Sequence, residues 1–151
     1  MKYSALLSIC FLAKLSLATV ENINLARDEV TCDGTRYTKG DIQLAANTAS
    51  GHHNNGSEVG QYPPPDTRNY PHHFSNFDGV NLAPNCDKTQ LEEFPLTRTV
   101  PYTGGTPGTQ RVAVNYVNAV DVRLCAVMFH RQSDKNWLEV VAAGANGKSG
   151  Q

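Results

Sequence analysis

No two cysteines in this chain stand close together, tryptophan occurs once, and lysine plus arginine (13) do not outnumber aspartate plus glutamate (14). Each shortage excludes something. Without a Cys-x-x-Cys pair the cysteines do not read as a zinc site. His52, His53, His72 and His73 sit among Asn, Gly and Pro, which supply no ligand geometry, so no metal is expected there. Without a basic excess the chain lacks the broad cationic face of a general phosphate gripper, so any nucleic acid would have to be held at a local site. Beyond residue 18 no apolar run is long enough to cross a membrane as a helix, and no membrane partner is expected.

The first 18 residues are a different matter. Met1-Lys2-Tyr3 supplies a basic tip, Ser4 to Ala18 an apolar body interrupted by Lys14, and Ser16-Leu17-Ala18 a small-x-small end. This pattern is that of a secretory signal peptide cleaved after Ala18, and it implies an extracellular protein. Removing Lys2 and Lys14 leaves 11 basic residues against 14 acidic ones, a net charge of −3. Cys10 leaves as well, and Cys32, Cys86 and Cys125 remain. An odd number in an oxidising compartment implies one disulfide and one thiol that is free or intermolecular, and spacing does not choose the pair. Asn55-Gly56-Ser57 is an N-glycosylation sequon.

The remaining length suits one domain. Residues 19–31 are polar and patternless and read as a loose N-terminus. Thr38-x-x-Asp41 resembles a capping box, and Ile42, Ala45, Ala46 and Ala49 fall at helical spacing, predicting an amphipathic helix of about three turns that ends near Gly51. His52 to Asn69 reads as a long loop, with Pro63-Pro64-Pro65 excluding regular structure. Val80 to Gln90 is a second loop. Strands are expected at Leu91–Leu96, where Pro95 limits pairing, at Arg111–Val117, at Leu124–His130 and at Trp137–Val141. Residues 142–151, rich in Ala, Gly, Asn and Ser, read as a disordered tail. A helix followed by clustered strands predicts an α+β fold, with the helix packed on one face of an antiparallel sheet.

The densest chemistry lies in Tyr70-Pro71-His72-His73-Phe74-Ser75-Asn76-Phe77-Asp78-Gly79. Alternation puts Tyr70, His72 and Phe74 on one face, and Asn76 to Gly79 reads as a turn. Two aromatics flanking such a turn could sandwich a flat ring while Asp78 accepts hydrogen bonds from it, as in the reading of unpaired bases. The plainer alternative is a Tyr/Phe core strand with surface histidines. Further on, Glu93 interrupts an apolar strand, Arg111 opens a valine strand and His130 ends another. Glu93 and Arg111 could form a salt bridge and His130 could be a surface residue, but with Tyr70 and His72 they make a chemical set.

Tyr70-Pro71-His72, Glu93-Phe94-Pro95, Gly104-Gly105-Thr106-Pro107-Gly108 with Arg111-Val112, and the strand ending in His130 resemble, in order and spacing, the motifs of the small secreted fungal ribonucleases. That family includes guanyl- and purine-preferring enzymes and the sarcin-like ribotoxins. The resemblance covers about residues 31 to 140 and implies a ribonuclease-like domain at 32–141. It implies RNA as partner, a monomeric enzyme without cofactor or metal, Glu93 as general base and His130 as general acid. It further implies Arg111, Tyr70 and His72 as the phosphate-binding set, with the planar fork of Arg111 holding two oxygens. Phe74, Asn76, Phe77 and Asp78 would bind the base, and Trp137 would lie beside the scissile phosphate. Cys86 and Cys125 would form a disulfide, leaving Cys32 unpaired.

The chain departs from the family where many guanyl-specific members have Glu and it has Asp78, and it lacks the cysteine that would bridge an N-terminal one to the C-terminus. Two other readings stand beside the enzyme that cleaves single-stranded RNA after purines. One is a ribonuclease-like secreted effector that binds RNA or a host protein with little catalysis. The other is a ribotoxin, disfavoured by the short Thr97–Thr103 segment and the negative charge.

Overall fold

In the computed structural model, residues 19–23, 28–60 and 69–130 are described, together with the backbone of 137–142. Residues 1–18, read as a signal peptide, lie outside the described residues, as does the expected tail 142–151 except for Ala142, which ends a strand. The elements run β1 (Val20–Glu21), β2 (Glu29–Cys32), β3 (Thr35–Thr38), α1 (Lys39–Asn54), β4 (His72–His73), β5 (Glu92–Pro95), β6 (Gln110–Tyr116), β7 (Val122–His130) and β8 (Trp137–Ala142). The fold is α+β, as the sequence predicts.

The helix begins as its sequence dictates. Thr38 Oγ1 accepts from the Asp41 amide at 3.2 Å and Asp41 Oδ2 accepts from the Thr38 amide at 2.8 Å, a reciprocal cap that satisfies two donors left over at a helix start. Asp41 Oδ1 also accepts from the amide of Thr99 at 2.7 Å, fastening the cap to the loop after β5. Ile42, Ala45, Ala46 and Ala49 are all buried and form the face that the helix packs into the larger core cluster. The helix does not stop near Gly51 but continues to Asn54. Its last turn is held by tertiary contacts: the His53 ring stacks on Tyr116 with centroids 3.7 Å apart, and Asn54 donates to the Ala119 carbonyl at 2.8 Å.

The main sheet has the order β1-β7-β6-β5-β4, with β8 also paired to β7. The pairings are antiparallel except that of β1, which lies parallel to the start of β7. Residues 19–31 are therefore not uniformly loose: Val20 is buried in the core, and β2 pairs with β3 through a turn at Asp33-Gly34. Both turn residues have positive φ, 47° and 75°, the backbone that an Asp-Gly hairpin turn requires.

Strand alternation divides the sheet. Phe94, Leu96, Val112, Val114, Leu124 and Val127 join the helix in the larger core cluster. Ala113, Ala126 and Met128 join Phe74, Val80, Leu91 and Cys125 in a smaller one on the opposite face. Cys86 and Cys125 are bonded and tie the 80–90 loop to β7. Cys32 is free and fully buried, in line with the first of the two alternatives, a free or an intermolecular thiol.

Candidate active site

Register assembles the site on the face away from the helix. His72 of β4 lies opposite Glu93 of β5, Glu93 opposite Ala113 of β6, and Ala113 opposite Ala126 of β7. Arg111 is paired to Met128, two residues before His130. Ala113 and Ala126 are fully buried in the smaller core cluster. An open cleft of about 210 Å³ is lined by His72, Glu93 and His130 together with the 73–78 loop.

Within it, His72 Nε2 lies 3.2 Å from Glu93 Oε1, and His72 Nδ1 lies 3.1 Å from the carbonyl oxygen of His73. Both ring nitrogens thus face acceptors, and only a doubly protonated imidazole donates to both. His130 is placed by its strand end, where its amide donates to the Thr109 carbonyl at 2.9 Å.

Arg111 sits beside the cleft and does not line it. It is buried, Nη1 donates to the carbonyls of Pro107, Gly108 and Gln110 at 3.3, 3.0 and 2.8 Å, and Nη2 donates to the Tyr70 hydroxyl at 2.6 Å. Its guanidinium carbon lies 4.8 Å from the centre of the Tyr70 ring, which in turn stacks on His72 at 4.8 Å. The expected fork grasping two phosphate oxygens is therefore not the resting arrangement, because the Thr106–Gln110 turn occupies one arm. The guanidinium lies beneath Tyr70, whose ring separates it from His72.

The base loop also differs from expectation. Phe77 is 94% exposed, whereas Phe74 is 5% exposed and packs in the smaller core cluster. One aromatic face is open for stacking instead of two, since the apolar Phe74 gains more by covering Leu91 and Met128 than by facing water. The Asn76 side chain is committed to the loop: Nδ2 donates to the Val80 carbonyl at 2.9 Å and Oδ1 accepts from the Val80 amide at 2.8 Å. Asn76 and Gly79 both take positive φ, 51° and 69°, which turns the Phe77-Asp78 tip toward the cleft that both residues line. The Trp137 side chain lies outside the described residues; its backbone pairs with His130.

Sequence reasoning missed the neighbour of Glu93. Glu92 faces the helix side, where its Oε2 accepts from the Tyr116 hydroxyl at 2.7 Å and lies 3.4 Å from His53 Nδ1. The signal was present in strand parity, which sends adjacent residues to opposite faces. His73 and Ser75 also line the cleft, a position to which the sequence reading assigned neither.

A family model for ribonuclease matches residues 25–141. The chain belongs to this ribonuclease family. Among its relatives, guanyl-specific ribonuclease F1 of Fusarium fujikuroi is 33% identical over 109 residues, covering 72% of this chain and 76% of that protein. Guanyl-specific ribonuclease U1 of Ustilago sphaerogena is 32% identical over 108 residues, 71% of this chain and 89% of that protein. Guanyl-specific ribonuclease T1 of Aspergillus oryzae is 26% identical and covers 90% of this chain and 95% of its own length.

Proposed function

We propose that this ribonuclease is a secreted endoribonuclease that cleaves single-stranded RNA after purines, guanine favoured, by transesterification through a 2′,3′-cyclic phosphate. The observation that carries the reading is the Glu93–His72 pair at 3.2 Å in a cleft that His130 also lines. Glu93 takes the proton of the ribose 2′-hydroxyl, and the resulting oxygen attacks the adjacent phosphorus. His130 protonates the departing 5′-oxygen. Charge that builds on the phosphoryl oxygens is met by the His72 cation and by the Tyr70 hydroxyl, which Arg111 polarises. The nucleophile belongs to the substrate itself, so the step is intramolecular and needs no metal-bound water. DNA, without the 2′-hydroxyl, cannot react.

Phe77 supplies the stacking face and Asp78 the carboxylate for the purine edge. The retained acid, base and cation favour an enzyme over a binding-only effector. Relatives named as guanyl-specific support the base preference, and one of them, from Gibberella baccata, is named as extracellular. Incubation of the purified protein with RNA in the presence of a chelator tests the proposal. New ends carrying 2′,3′-cyclic phosphate are expected; intact RNA would overturn the enzymatic reading and leave the binding one.

A further inference from the structure

Away from the cleft, Thr19 makes an unusual set of contacts for a residue at the margin of a fold. Its backbone N–H donates to Asp121 Oδ1 at 3.1 Å and its hydroxyl donates to the same oxygen. Its carbonyl accepts from the Val122 amide at 3.1 Å. The next residue, Val20, is buried opposite Val122, so the position of Thr19 is fixed by core packing and not by the polar contact. Asp121 is held in turn: Oδ2 accepts from Asn118 Nδ2 at 2.8 Å, while Asn118 Oδ1 accepts from the amides of Val120 and Asp121 at 2.8 and 2.9 Å. The Thr19 hydroxyl, the Asn118 amide and the Thr19 N–H hold the Asp121 carboxyl below the usual range, so it is an anion under ordinary conditions. On the strands to either side, Glu21 of β1 and Arg123 of β7 are paired with each other at 2.7 Å.

The sequence places the scissile bond of the leader between Ala18 and Thr19. We propose that cleavage there makes Thr19 the mature N-terminus and seats its α-ammonium on Asp121, converting a neutral N–H contact into an ion pair that pins β1 to β7. Water adds across the Ala18–Thr19 amide; Ala18 departs with the carboxylate and Thr19 keeps the nitrogen, which gains protons and charge. A charged donor strengthens the bond to a carboxylate that is already oriented for it.

The inference rests on the secreted reading above, and its test does not use RNA cleavage. The protein is expressed with its leader in a secreting host and the first residue of the exported chain is read by mass spectrometry. The α-amine is then acylated near pH ~7.5, each rate being divided by that of the same chain in denaturant. Thr19 as first residue is expected, with an amine that reacts about threefold more slowly than in Asp121→Asn, as a modest rise in its pKa would produce. A chain that keeps Ala18 as its first residue serves as the second comparison, since it retains Asp121 and moves the amine off it; it too should react faster. A different first residue overturns the processing site. Equal rates in the Thr19 chain and either comparison overturn the ion pair.

Discussion

Glu92 and Glu93 are neighbours in one strand with opposite surroundings, and their substitution should separate catalysis from structure. Glu93 faces the cleft and His72, whereas Glu92 joins Tyr116 and His53 between helix and sheet. Burial first, and then the Glu92 hydrogen bond and charge, raise the Tyr116 phenol, so it remains a donor to the carboxylate. Glu93→Gln is expected to lower kcat by about 10²- to 10⁴-fold with little change in Tm. Glu92→Gln should do the reverse, with near-normal kcat and a loss of about 1 kcal/mol in stability, measured by denaturant titration. Equal losses of activity would remove the distinction between the two. At the base loop, Asp78 lines the cleft with a side chain one methylene shorter than Glu, and in the proposed reading it must reach the purine edge with that shorter arm. Asp78→Glu should therefore sharpen the preference for guanine over adenine by about 1 to 3 kcal/mol in relative kcat/KM on dinucleotides. An unchanged ratio would show that Asp78 does not contact the base. The candidate residues were legible in sequence because acid, base and cation types recur at readable strand positions. Their contacts were not: that Phe74 covers Leu91 and that one arm of Arg111 is spent on Pro107, Gly108 and Gln110 depend on side-chain placement that no spacing reveals.

The helix was legible as an element because its cap and its apolar stripe agree, Thr38 and Asp41 at the start and four small or branched apolar residues on one side. Its end was not, since the last turn is held by Tyr116 and Ala119, far away in sequence. The β2–β3 hairpin was legible in its Asp33-Gly34 turn but was passed over, because its strands are only four residues each and largely polar. The cap yields a prediction with a definite sign. Burial pushes the Asp41 carboxyl up, but hydrogen bonds from the Thr99 and Thr38 amides and the Thr38 hydroxyl, with the Arg98 charge, outweigh it and leave the carboxyl below its ordinary value. A depressed folded-state value means that Asp41 stabilises the fold fully above its unfolded value of about 3.9 and loses this contribution as pH falls through the lower, folded one. Asp41→Ala should thus cost about 0.5 to 2 kcal/mol near neutrality. The pH-dependent share of that gap should vanish in strong acid. A gap independent of pH from neutrality to strong acid would mean that the charge of Asp41 contributes nothing.

At the scale of the molecule, the described cysteines divide into one cross-link and one buried thiol. The order of helix and main strands could be read from period and turn residues, but the parallel docking of β1 could not, because a strand of two residues carries no pattern of its own. The cysteines show the same division. Their number implied one bridge and one remainder, the family resemblance chose Cys86 with Cys125, and the fold bonds that pair across 39 residues of chain. Closing a loop of that size removes denatured-state freedom worth about 4 kcal/mol in the chain-entropy picture. The double variant Cys86→Ala/Cys125→Ala should lose stability on that order, read as a lower denaturant midpoint, while the cleft residues stay in place. Cys32 has no such role: it is fully buried, and burial raises its thiol to about 12, so it holds almost no thiolate near neutrality and offers no surface to a reagent. Alkylation of the exported protein should therefore consume no thiol in the native state, one after unfolding without reductant, and three after unfolding with reductant. A reactive thiol in the native protein would mean that Cys32 is exposed, and a count other than one in denaturant alone would mean that the bridge is not the one between Cys86 and Cys125 with Cys32 left reduced.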